Sequence, residues 1–131
     1  MNALHVGLKA EMQRAVDDTN AISFLGEGGP RVLATPALIM FLEMTSRDLA
    51  KAHLDAGYDT VGTHVDVKHL AATPIGMTVT FHSELIEAVD RRLRFRVEAF
   101  DPKEKIAEGF HERAIINVAK FAARVRAKST E

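Results

Sequence analysis

Between residues 77 and 99 apolar and polar side chains alternate with a period of two. Met77, Val79, Phe81, Leu85 and Val89 share one face, and Thr78, Thr80, His82 and Glu84 take the other, the pattern of a strand covered on one side. Asp90-Arg91 interrupts the run. Leu93, Phe95, Val97 and Ala99 then alternate with Arg92, Arg94, Arg96 and Glu98, so a tight hairpin leads into a second strand. A third strand is predicted after Asp101-Pro102-Lys103, with Ile106, Phe110, Ala114, Ile116 and Val118 as its inward set and Glu108 and Glu112 between them. The stretch from Thr60 to Ala71 supplies a fourth strand and residues 4–16 a fifth.

A helical segment interrupts this alternation. Thr35-Pro36 offers a hydroxyl N-cap followed by proline at the first helical position, and the chain runs on through Ala37-Leu38-Ile39-Met40-Phe41-Leu42-Glu43-Met44 toward a stop near Gly57. The first half of this helix is apolar on every side, so it must be enclosed. A curved antiparallel sheet wrapped around it, with further cover from a second subunit, provides that enclosure. The predicted class is α+β: about five strands around one long central helix, in a single domain over residues 1–131, with the basic tail frayed from about residue 122.

Composition narrows the functional classes. A chain of 131 residues is 47% hydrophobic and 27% charged, with a formal net charge of −1, so no overall field draws it to nucleic acid or to an acidic membrane. It has no cysteine, which excludes disulfides, thiolate nucleophiles and cysteine metal sites. The N-terminal stretch has no signal-peptide pattern and no segment reaches spanning length, so the expected location is cytoplasmic. The six histidines show no H-x-H or H-E-x-x-H spacing, and no metal is expected. Gly26-Glu27-Gly28-Gly29-Pro30 lacks the lysine and hydroxyl ending of a phosphate loop and reads as a flap.

The candidate chemistry lies in a few polar residues on apolar faces. Glu43 interrupts an all-apolar helical turn, where an ionised carboxylate costs several kcal/mol unless a donor faces it. It is either a structural glutamate or a general base. In VDVKHLAATP, residues 65–74, His69 falls on the face of Val65 and Val67, opposite to His64, Asp66 and Lys68, so it points toward the helix. An imidazole and a carboxylate in one apolar interior complement each other. Thr35 reads as an N-cap, as a donor to a substrate oxygen, or as both. Gly62 marks a bulge or a close backbone approach to a ligand, and Arg113, on the less apolar parity of its strand, reads as a solvated charge. Eight residues along one helix place Thr35 and Glu43 roughly 12 Å apart along the axis and about 80° around it, too far for a shared hydrogen bond. Either His69 bridges part of that distance, or the threonine of one subunit meets the glutamate of another, or the two act at different points of a bound substrate.

The blocks Ala34-Thr35, Leu42-Glu43, Val61-Gly62-Thr63, His69-Leu70-Ala71-Ala72-Thr73-Pro74 and His111-Glu112-Arg113-Ala114, with a capped apolar helix before a long antiparallel meander, resemble the fluoroacetyl-CoA thioesterase group of the hotdog fold. The resemblance covers about residues 30–120. It implies an acyl-CoA thioesterase that hydrolyses a short or small acyl-CoA to the acid and CoA, either a homodimer or a dimer of dimers, with active sites at the subunit interface and no cofactor beyond the CoA of the substrate. It implies Thr35, Glu43 and His69 as the catalytic group, Gly62 as a backbone contact near the thioester and Arg113 as a ligand-binding residue. Gly28-Gly29-Pro30-Arg31 departs from the group, because no bulky aromatic lid residue stands there. The alternative is a hotdog protein that binds an acyl-CoA or similar ligand without turning it over.

Overall fold

The computed structural model describes residues 3–129. Its elements are β1 (Lys9–Ala15), α1 (Thr35–Lys51), β2 (Tyr58–His69), β3 (Thr78–Val89), β4 (Arg92–Phe100), β5 (Lys105–Asn117) and α2 (Val118–Ser129). The five strands form one sheet in the order β1-β3-β4-β5-β2, with every neighbouring pair antiparallel. The meander β3-β4-β5 occupies the middle, while β1 and β2, the strands that flank α1 in the chain, form the two edges. A sheet assembled this way curves around the intervening helix, and α1 touches all five strands.

Alternation explains β4 and most of β3, but Val89, expected on the inner face, lies beyond a register shift between Leu85 and Glu87 and is exposed. Val79, Phe81, Leu85, Leu93, Phe95, Val97 and Ala99 are all buried against α1, which contributes Leu38, Phe41, Leu42, Leu49 and Ala50 to the same core. Phe41 meets Phe81 with ring centroids 5.4 Å apart. The turn between β3 and β4 holds Asp90 at φ 55°, a left-handed conformation that aspartate tolerates better than most residues.

In β5 the phase is the reverse of the predicted one. Ile106 is buried as expected, but Ala107, His111, Arg113 and Ile115 are the other buried residues of the strand, and Val118 begins α2. The cause is a register shift where Phe100 pairs with Lys105 while Ala99 pairs with Ala107, leaving Ile106 unopposed. Beyond that bulge the odd-numbered residues face inward. Phe110 lies on the other face, under the guanidinium of Arg94, 4.5 Å from its ring centroid. The same register places Thr60, Gly62, Val65, Val67 and His69 of β2 on the helix side, opposite Ile115, Arg113, His111, Gly109 and Ala107.

One helix ends before its predicted point and a second stands where none was predicted. α1 stops at Lys51, six residues before Gly57, and tight backbone turns carry the chain through His53 and Leu54. Gly57, at φ 87°, serves instead as the turn into β2. The C-terminal segment expected to fray from about residue 122 continues as α2 to Ser129. Asn117 accounts for its start, because its side-chain oxygen accepts the Lys120 N–H in the manner of an N-cap. Among the described residues, no helix is long and apolar enough to cross a membrane.

Candidate functional site

Thr35 is the first residue of α1, and the N-cap is Ala34, which makes no side-chain cap hydrogen bond. The expected capping role is therefore not the one its hydroxyl performs. Its Oγ1 lies 2.7 Å from Nδ1 of His69, the last residue of β2. The local chain is held for this contact from both sides. Ala34 donates its N–H to the Asn20 carbonyl, Leu33 to that of Thr73, and Leu70 to that of Ile106. Buried Thr73 is fixed in turn by its hydroxyl bond to Asp101 at 2.9 Å. Burial lowers the His69 pKa from its ordinary value, and the Ala71 carbonyl opposes this in part. Among the described residues His69 Nε2 is buried without a hydrogen-bond partner. Desolvation disfavours an imidazolium there, and a ring that takes the Thr35 hydroxyl hydrogen bond at Nδ1 carries its own hydrogen on Nε2 and is suited to accept a proton.

Glu43 occupies a second cluster, two helical turns further along α1. It is less enclosed than its apolar turn suggested: its side chain is 39% exposed, because that flank of α1 looks past edge strand β2. Its carboxylate faces the guanidinium of Arg113, with Oε2 3.6 Å from Nη1, and lies 3.9 Å from His111 Nε2. Arg113 is no solvated charge. It is 5% exposed, donating from Nε to Thr60 Oγ1 at 2.7 Å and from Nη2 to the Thr60 carbonyl at 2.9 Å. Burial pulls its pKa below the usual arginine value, which the charge of Glu43 opposes. One turn after Glu43, Arg47 grips Asp59 through both carboxylate oxygens, and this pair fixes α1 to β2 beside the cluster.

Gly62 completes that cluster in a way the sequence did not suggest. A Cβ on Gly62 would lie 2.7 Å from Glu43 Oε2, 3.3 Å from His111 Cε1 and 3.5 Å from Arg113 Nη1. The missing side chain makes room for the carboxylate. His111 entered the sequence analysis only inside the block His111-Glu112-Arg113-Ala114 and was given no role. Its signal was there to find: it stands two residues before Arg113, on the same parity, and therefore shares a face with it.

The five candidates thus fall into two groups within one chain: Thr35 with His69, and Glu43 with Gly62 and Arg113. The expected contact between Glu43 and His69 is absent among the described residues. From Gly62 to His69 the strand advances about six steps, roughly 20 Å, a distance that side chains do not span. The flank between the groups is apolar and open, with Met40 and Met44 of α1 and Val65 of β2 all exposed, and β2 has no strand on its outer side among the described residues.

Comparison with known proteins gives this geometry its context. The sequence pattern of the family described as fluoroacetyl-CoA-specific thioesterase matches residues 16–119. A fluoroacetyl-CoA thioesterase of Streptantibioticus cattleyicolor is 41% identical over 100 residues, covering 76% of this chain and 72% of the relative. A solved structure of the fluoroacetyl-CoA thioesterase FlK, a threonine-to-serine mutant in complex with acetyl-CoA, is 33% identical with a TM-score of 0.87, over 97% of this chain and 100% of that one. A hot-dog-like protein from Thermanaerovibrio acidaminovorans, 21% identical with a TM-score of 0.87 over 96% of this chain and 93% of its own, shares the fold. The family match over residues 16–119 and the 41% identical relative decide the assignment: the chain is a thioester hydrolase of the fluoroacetyl-CoA-specific thioesterase family.

Proposed function

We infer that this enzyme hydrolyses a short or small acyl-CoA at a site completed by a second copy of the chain. The observation that carries the reading is the Thr35 and His69 hydrogen bond at 2.7 Å, separated along one strand from the carboxylate that hydrolysis also needs. A two-fold axis crossing β2 near Val65 would pair the edge strands antiparallel, opposing residue 69 of one to residue 62 of the other. His69 and Thr35 then meet Glu43 of the partner subunit. Three features support this dimer: the open edge of β2, the exposed Met40, Met44 and Val65 it would cover, and the need of a long exposed edge for protection.

In this reading the thioester carbonyl lies at the N-terminus of α1, where free N–H groups and the helix dipole favour an oxyanion. Thr35 Oγ1 attacks the carbonyl carbon while its proton passes to His69 Nδ1. The C–S bond breaks, and the CoA sulfur leaves with the proton that His69 returns. Glu43 of the partner subunit then takes a proton from water as that water attacks the acyl-threonine ester; the bond from the acyl carbon to Oγ1 breaks, the acid leaves, and the proton held by Glu43 passes by way of His69 to Thr35 Oγ1, restoring all three groups. Gly62 shapes the carboxylate's place, and Arg113 supplies the counter-charge within ligand reach. Gly28-Gly29-Pro30-Arg31, without an aromatic side chain, favours an acyl group other than fluoroacetyl. A CoA thioester substrate goes with a cytoplasmic location.

Steady-state thiol release from acetyl-CoA and a panel of small acyl-CoAs tests the assignment. Glu43→Gln and His69→Ala should lose about two orders of magnitude or more in kcat while remaining folded. Rates close to wild type in either variant would remove that residue from the mechanism. Tight acyl-CoA binding without thiol release by the unmodified protein would favour a binding module.

A further inference from the structure

His111 is the most deeply buried ionisable residue of the site, at 1% exposure, and the hydrolysis scheme above does not use it. Its ring lies against Phe95, with centroids 6.3 Å apart and an interplanar angle of 29°. Its partners fix its proton. Nδ1 lies 2.8 Å from the His64 carbonyl, which can only accept, so Nδ1 carries the hydrogen. Nε2 lies 3.2 Å from Arg113 Nη1, which can only donate, so Nε2 presents a lone pair. The ring is therefore neutral. Burial acts in the same direction on its pKa, with the His64 carbonyl opposing and the charge of Arg113 adding to the lowering.

The consequence concerns Glu43. Thr60 already holds Nε and Nη2 of Arg113, so Nη1 is the part of the guanidinium left to face the carboxylate. At 3.6 Å from Glu43 Oε2, Nη1 is within ion-pair range but beyond a hydrogen bond, while one of its two N–H groups is directed to His111. We propose that His111 is a positioning residue: by accepting the Arg113 N–H it holds the guanidinium off Glu43, so that arginine acts as a counter-charge and leaves the carboxylate free to work. Without that acceptor the nearest alternative for a buried N–H is the carboxylate itself. Glu43 has a flexible side chain and needs to move less than about 1 Å to close onto it. A carboxylate clamped that way is a weaker base and is turned away from substrate.

The proposal rests on Glu43 serving hydrolysis, but its structural arm does not. His111→Phe keeps a ring against Phe95 and removes the acceptor, while His111→Gln restores an amide oxygen near the Nε2 position. Crystal structures of both variants are compared with wild type, alongside kcat and KM for acetyl-CoA hydrolysis. In His111→Phe the Nη1 to Oε2 separation should contract to about 2.8 Å, and kcat should fall about 10-fold or more with KM within about twofold. His111→Gln should keep the wider separation and recover most of kcat. If His111→Phe does not fold, His111→Leu takes its place with the same expectations. An unchanged separation in the variant lacking the acceptor, or an equal loss of kcat in His111→Gln, overturns the proposal. A wild-type protein that does not hydrolyse acyl-CoAs overturns the functional reading instead, and the crystallographic comparison still decides the role of His111.

Discussion

Gly62→Ala probes the second cluster with one methyl group. The added Cβ would lie 2.7 Å from Glu43 Oε2, a distance that real side chains do not sustain, whereas its distance to Arg113 Nη1 is an ordinary contact. Arg113 and His111 are buried and tied to β2, so the carboxylate is the part that yields. Reaching a normal carbon–oxygen contact of about 3.3 Å displaces it by roughly 0.6 Å. Because a misplacement near 1 Å costs about 100-fold in rate, kcat should fall by about 10- to 100-fold, or about 1.4–2.7 kcal/mol in the barrier. Folding should change little, because the one other tight contact, 3.3 Å to His111 Cε1, needs the ring to give by only about a few tenths of an ångström. Gly62 is not among the glycines with positive φ, so alanine adopts its backbone without strain, and relieving a strand glycine gains up to about 1 kcal/mol. Thiol release from acetyl-CoA, measured beside urea unfolding of the same sample, separates the two effects. Wild-type kcat, or a stability loss as large as the catalytic one, would refute the claim that this glycine exists to seat Glu43.

Two further predictions concern stability. His69 and His111 both have folded-state pKa values lowered below the ordinary 6.5, chiefly by burial. Below that value the unfolded chain binds protons that the folded chain refuses, so their contribution is complete above pH 6.5 and is lost as pH falls toward the folded values. Urea unfolding should therefore show lower stability at pH 5.5 than at pH 7.5, with a shallower difference in His111→Gln; equal dependence in the two proteins would contradict the assignment. Leu38, fully buried where α1 enters the sheet, should cost about 2–5 kcal/mol on replacement by alanine, read from the urea midpoint at constant slope. A cost below about 1 kcal/mol would mean that this end of the helix is not packed as described.

How much of this was legible in the sequence depended on whether the inner face was apolar. β3 and β4 line the core with Val79, Phe81, Leu93, Phe95 and Val97, and simple alternation located both. β5 turns His111 and Arg113 inward and Phe110 outward, so the same rule selected the wrong face exactly where the candidate site lies. Local rules give way at functional positions because those positions are not optimised for burial. The Ile106 bulge compounded the error, since one extra residue inverts every parity after it. His69 was placed on the correct face because no bulge lies between it and Val65. The pattern offered it as a partner of Glu43 or as a bridge between Thr35 and Glu43, and the fold joins it to Thr35. The separation of the two halves was partly legible, because eight helical residues already set Thr35 and Glu43 roughly 12 Å apart along α1.

The central claim is that these halves are joined across a two-fold interface, and mixing two inactive variants tests it most directly. His69→Ala lacks the proton acceptor and Glu43→Gln lacks the carboxylate, so each homodimer has no intact site. Unfolding and refolding the two together, in equal amounts, yields heterodimers in which one of the two interfacial sites draws an intact half from each subunit. The account predicts recovery of roughly a quarter of wild-type acetyl-CoA hydrolysis. A mixture no more active than its separate components would place the whole site within one chain and contradict it.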